Sequence, residues 1–197
     1  MHKHELILFL QQQPFVTASN YIWLPKMEWL GETEASERKK IWSSSFNLQA
    51  LELFAIDGYG DMYAWFKGNE FNEEVVFVDL ESEYGGSFFA PNIPGAIFRR
   101  ILEFAGGIYT EFCTDDEKND EEDSEDYISE SEAINMLKSY RSAFGNYFES
   151  EWNSTLSKMI VQGFNEQKCF INQEQVNQII IRSLNFSKLE KPIALRK

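Results

Sequence analysis

Between Leu48 and Glu81 the apolar positions fall into three short runs, "LQALELFAI", "DMYAWFKG" and "EEVVFVDLE", separated by the turn-forming stretches "DGYG" and "GNEFN". The runs are rich in aromatic and β-branched residues and their connections are short, which predicts a three-strand antiparallel meander. Apolar side chains occupy both parities, Phe54 and Ile56 as well as Leu53 and Ala55. Both faces of the sheet are therefore expected to be covered, and helices must supply the cover.

After the meander the apolar period becomes helical. In "IPGAIFRRILEFAGG", Pro94 suits an early helical position, Ile97, Ile101, Leu102 and Ala105 recur at helical spacing, and Gly106 supplies a stop. In "SESEAINMLKSYRSAFGNYF", Ser129 stands three residues before Glu132, the signature of a capping box, and Ile134, Leu137, Tyr140, Phe144, Tyr147 and Phe148 share a face. Further helices are predicted over Glu151–Val161 and Gln173–Leu184, followed by a basic and loose tail, "FSKLEKPIALRK". Ahead of the meander, "HELILFLQQQ" reads as a short helix stopped by Pro14, and "TEASERKKIWSS" as another capped by Thr33.

The predicted fold class is α+β, with a central, mostly antiparallel sheet, packed helices and an additional helical C-terminal region. Length favours one domain, in which residues 1–110 form the α+β core, 111–128 an acidic loop, and 129–197 a helical region packed on the same domain.

Charge changes the picture in one place. The segment "DDEKNDEEDSED", Asp115 to Asp126, holds nine acids and one lysine, a net of −8 within a chain total of −14. A run this charged predicts a solvated loop. The overall balance repels phosphate backbones and attracts basic proteins, so nucleic acid is not an expected partner. "LILFL" is too short to span a membrane and lacks a basic leader, and Cys113 and Cys169 have no CxxC spacing. These features predict a soluble cytoplasmic protein without a membrane partner.

Catalytic chemistry finds little to work with. The histidines, His2 and His4, lie at the start of the sequence, which leaves Ser-His-Asp and Cys-His arrangements without a base. No GxSxG or GxxxxGK[ST] occurs, and "GYGDM" does not complete GxGxxG. The acidic segment has no glycine at the sixth position of a calcium loop, so no metal or other cofactor is expected. Asp57 and Asp61 could in principle act as a carboxylate pair in a hydrolase, with Glu83 as a further acid. The bland reading is a hairpin turn, in which Gly58 and Gly60 supply the positive φ angles.

The order of the elements carries a resemblance. A strand ending in "D-G-x-G-D" (Asp57–Asp61), an aromatic strand "MYAWF", a third strand "VVFVDLES" and a helix "PGAIFRRILEFA" containing F-x-x-x-L (Phe98–Leu102) resemble the SUKH superfamily of immunity proteins, which also includes fungal cell-wall-assembly regulators. The match runs from Leu48 to Ala105, about a third of the chain. The acidic insertion and the long helical C-terminal region exceed the minimal family domain. The resemblance implies a non-catalytic α+β domain that binds and neutralises a cognate bacterial toxin, often a nuclease with a basic surface. The acidic balance agrees, because it would steer the protein to a basic cleft. Candidate contact residues are Asp57, Tyr59 and Asp61 at the turn, Glu81 and Glu83 after the third strand, and Asp115, Asp116, Asp120, Glu121, Glu122 and Asp123 in the acidic segment. The alternative is an intracellular scaffold of the cell-wall-regulator type.

Overall fold

The computed structural model describes residues 2–17, 19–66, 73–120 and 127–197, and shows the α+β class that the patterning predicts. Its elements divide into two compact units, residues 1–97 with 186–197, and residues 98–185.

The first unit is built on a five-stranded antiparallel sheet of sequential order: β1 (Glu28–Trp29), β2 (Leu51–Ile56), β3 (Met62–Phe66), β4 (Val75–Val78) and β5 (Ser87–Ala90). The expected meander forms β2 to β4. The two outer strands were not foreseen. In β2 the register shifts between Leu53, opposite Ala64, and Ala55, opposite Tyr63, so Phe54 is the extra residue of a bulge. The bulge accounts for the double parity seen in the sequence. Leu51, Leu53 and Ile56 join Met62, Ala64, Val76 and Val78 in an aliphatic cluster, while Phe54, Tyr63, Phe77 and Phe89 form a cluster of ring contacts.

Two helices, α1 (His2–Gln12) and α2 (Glu32–Trp42), lie against β2, with Ala35 and Trp42 packing on the aliphatic cluster. Helix α2 starts one residue after Gly31, which is its N-cap in place of the expected Thr33. The acids Glu32 and Glu34 thereby fall in the first turn, where the helix dipole favours them.

A second correction concerns the segment Phe186–Lys197, predicted to be loose. Residues 187–190 make a turn, in which Glu190 takes φ 60°, and residues 191–197 run along β5 in extended form, with a bridge between Ser87 and Pro192 and another between Phe46 and Arg196. Glu190 and Ile193 donate N–H bonds to the Phe88 and Gly86 carbonyls at 2.9 Å, and Leu195 donates to the Tyr84 carbonyl at 2.8 Å. Pro192 removes one donor but does not prevent pairing at a sheet edge, and the Leu195 side chain is only 4% exposed in the aliphatic cluster.

The second unit is mainly helical. It comprises the greater part of α3 (Ile93–Ala105), then β6 (Phe112–Cys113), α4 (Asp115–Asp120), β7 (Ile128–Ser129), α5 (Glu130–Phe144), α6 (Ser150–Gln162) and α7 (Gln173–Leu184). The Ser129 capping box is present, its side chain accepting from Glu132 N–H while the Glu132 carboxylate accepts from Ser129 N–H. Helix α5 packs on α6, Phe98 stacks on Trp152 with ring centroids 4.8 Å apart, and Trp152 Nε1 donates to the Ser183 carbonyl. At Gly106 a Cβ would lie 2.4 Å from Val176 Cγ2, so a side chain there would displace α7.

The expected acidic loop is the third correction. Its first residues form α4, opened by a capping box in which Thr114 Oγ1 accepts from Glu117 N–H and the Glu117 carboxylate accepts from Thr114 N–H. The parallel pair β6 and β7 joins the two ends of the segment. Residues 121–126 lie outside the described residues.

Candidate functional site

The β2–β3 turn is held by the carboxylate of Asp57. Its Oδ1 accepts from Tyr59 N–H at 2.8 Å and from Asp61 N–H at 3.1 Å, and its main chain bonds to Gly60 and Asp61. Asp57 is 7% exposed, so this carboxylate faces the turn it builds. Gly60 takes φ +90°, but Gly58 does not use a positive φ, so one of the two positions expected to need that freedom does.

Asp61 reaches out of the turn to the next connection of the sheet, where its Oδ1 accepts from Leu80 N–H at 2.8 Å. Asp79, just after β4, accepts from both Glu81 N–H and Ser82 N–H at 2.9 Å. The antiparallel register sets Met62 opposite Val78, so the β2–β3 turn and the residues after β4 share one end of the sheet. Partial burial is the main reason that the Asp61 carboxyl is pushed above its ordinary range; the Leu80 N–H opposes the shift, and the charges of Asp57, Asp79 and Glu81 add to it. Glu81 and Glu83 are exposed on the same connection.

At the tip of the turn Tyr59 is 82% exposed, and Lys26 Nζ lies 3.9 Å from its ring centroid. Lys26 has φ 58°, a left-handed conformation that is unusual for a residue with a side chain. Sequence reasoning did not single out Lys26. The "LPKM" turn that places it contains no pairing signal for Tyr59, which is 33 positions away in the chain.

Five of the named candidates, Asp57, Tyr59, Asp61, Glu81 and Glu83, therefore belong to two neighbouring connections of the first unit. Asp115 and Asp116 belong to the second unit, exposed on α4. Asp115 Oδ1 accepts from Ser131 N–H at 3.0 Å; this bond and the hydroxyls of Ser129 and Ser131 hold its carboxyl below the usual range. Asp120 ends α4, and Glu121, Glu122 and Asp123 lie outside the described residues. Among the described residues no group of three or more His, Cys, Asp or Glu is placed to hold a metal ion, and no helix is long and apolar enough to cross a membrane.

No protein-family model matches the chain, and neither a curated protein nor a solved structure is significantly similar to it.

Proposed function

We propose that this chain is a non-catalytic immunity protein, acting in the cytoplasm, that binds a cognate bacterial toxin with a basic surface and neutralises it. The observation that carries the reading is the end of the sheet at which Asp61 and Asp79 are positioned by main-chain N–H groups beside the turn that presents the exposed ring of Tyr59. Carboxylates fixed in this way lose little freedom when a cation docks, and an exposed tyrosine supplies rigid contact area beside them. Hydrogen bonding also accounts for Asp57 as a turn-forming group and for Asp61 as a link to the next connection, with no need of a hydrolytic role. The SUKH-like order of residues 48–105 adds the toxin as the class of partner, and the net charge of −14 supports steering toward a basic surface.

The test is affinity capture from lysate of the source cells, using the tagged protein as bait at low and moderate salt, with mass spectrometry of what is retained. Recovery of one basic, toxin-like protein, less strongly held as salt rises and lost with Tyr59→Ala, is the expected result. Retention only of an unrelated set of assembly proteins would favour a scaffold role, and unchanged capture by Tyr59→Ala would remove this end of the sheet from the interface.

A further inference from the structure

After a turn over residues 187–190, residues 191–197 occupy a groove between β5 and residues 45–47, and they alternate as a strand does. Ile193 and Leu195 turn into the aliphatic cluster, while Ala194 and Arg196 do not. Both walls contribute main-chain pairing: Leu195 N–H donates to Tyr84, while Asn47 N–H donates to the Leu195 carbonyl at 2.7 Å and Lys197 N–H to Ser45 at 3.0 Å. The floor is shaped for a close-lying chain. A Cβ on Gly85, which has φ +84°, would stand 2.8 Å from Arg196 N, and one on Gly86 would stand 3.0 Å from Leu195 Cδ1.

The groove runs into the acidic connection described above. The Arg196 guanidinium donates to the carbonyls of Ser82, at 2.7 Å, and Leu80, the residues flanking Glu81. Lys188 pairs with Glu74 at 2.8 Å. From Lys188 to Lys197 the segment carries four basic residues against one glutamate, on a chain that is otherwise strongly acidic. Leu195 is the only fully buried side chain of Phe186–Lys197 and seven of these twelve residues are exposed, the profile of a segment that opens locally.

We infer that this groove is a binding site for an extended basic peptide of a partner protein, with an aliphatic residue immediately before an arginine, and that residues 188–197 are its intramolecular mimic and competitor. The partner strand adds to the β5 edge when the strap leaves, gaining main-chain hydrogen bonds from Tyr84 and Gly86, a pocket for its aliphatic side chain, and the Leu80 and Ser82 carbonyls for its arginine. The inference rests on the binding reading above and names the chemistry that the partner presents. The strap sets the affinity, since a peptide binds only the fraction of molecules in which the groove is open.

The test uses the full chain and a fluorescein-labelled decapeptide, KLEKPIALRK, with a scrambled peptide of identical composition as control. Leu195→Ala combined with Arg196→Ala should loosen the strap and tighten decapeptide binding about tenfold relative to the parent chain, with no gain for the scramble. Circular dichroism confirms that the variant is folded. No gain in a folded variant, or equal gains for both peptides, overturns the proposal. Hydrogen exchange on the unmodified chain is the second measurement: the Ile193 and Leu195 amides should exchange about tenfold or more faster than the amides of β3, and equal rates would show that the strap opens only with global unfolding. A concentration-dependent dimer with exchanged straps would also overturn it, by assigning the groove to a second copy. Because none of these measurements uses a toxin, toxin capture with an inert groove would refute this inference and leave the proposed function standing.

Discussion

Asp57, Asp61, Asp79 and Glu81 are spread along the sequence yet act on one another in space, whereas Asp115 and Glu117 stand in a dense acidic run and are locally answered. Asp61 has only a main-chain N–H against burial and the field of three other carboxylates, and its carboxyl is pushed up. Glu117 pairs with Lys168 and caps α4, and these contacts pull its carboxyl down to about 2. A count of charges along the chain therefore does not tell which carboxylates the fold leaves unanswered. What marks a site for a cation is repulsion left in the folded state, and that is set by which acids the sheet register brings to the same end.

Three measurements bear on this contrast. The largest effect is expected from Asp57→Ala, which deprives the Tyr59 and Asp61 N–H groups of the nearly buried carboxylate that accepts from them; urea denaturation should show a loss of about 2 kcal/mol. A loss no greater than that of an exposed control such as Glu83→Ala would deny the turn its structural role. Next, Lys168→Gln removes the largest cause of the low Glu117 value, so NMR titration of the Glu117 side-chain carbonyl should move from about 2 toward its ordinary value of 4.5. In the parent chain this group contributes stability that is present above 4.5 and is lost as pH falls toward about 2. The pair is exposed, so the accompanying change in stability should be small.

Asp61→Asn should give the smallest shift and the opposite sign. The folded state holds the Asp61 proton more tightly than the unfolded chain does, so its ionisation opposes folding above the raised value, and the opposition is relieved as pH falls toward 3.8. Asparagine keeps an oxygen for Leu80 N–H and removes the charge. Stability near pH 7 should rise slightly, and its dependence on acid in that window should flatten. A variant less stable than its parent at neutral pH would mean that the Asp61 charge is compensated.

The meander, α3 and the capped start of α5 were legible because each announces itself within a few residues: aromatic runs broken by "DGYG", Pro94 ahead of Ile97 and Ile101, Ser129 ahead of Glu132. The outer strands were not. β1 is two residues long, too short for alternation to show, and β5 follows two glycines whose role depends on a segment more than a hundred positions away. That segment looked loose because its lysines and proline outweigh the alternation of Ile193 and Leu195. Helix α4 was hidden by its own charge, although Thr114 and Glu117 carry the same capping signature that was read at Ser129. At the candidate site, the residue types of the turn were legible and their hydrogen-bond partners were not. Asp61 meets Leu80 across 19 positions, and Lys26 meets Tyr59 through a turn whose lysine adopts a conformation that composition does not announce.

The strap also fixes an order of events. Arg196 closes against a carbonyl 114 positions earlier, so the sheet that begins with β1 reaches its finished edge only after every residue of the helical unit has left the ribosome. Closing so long a loop is entropically costly and slow to search. The helical unit, whose residues are all made first, can complete its packing while the older strands still expose the β5 edge. Synthesis therefore opens a period in which the nascent chain presents an unfilled β5 edge until residues 186–197 emerge.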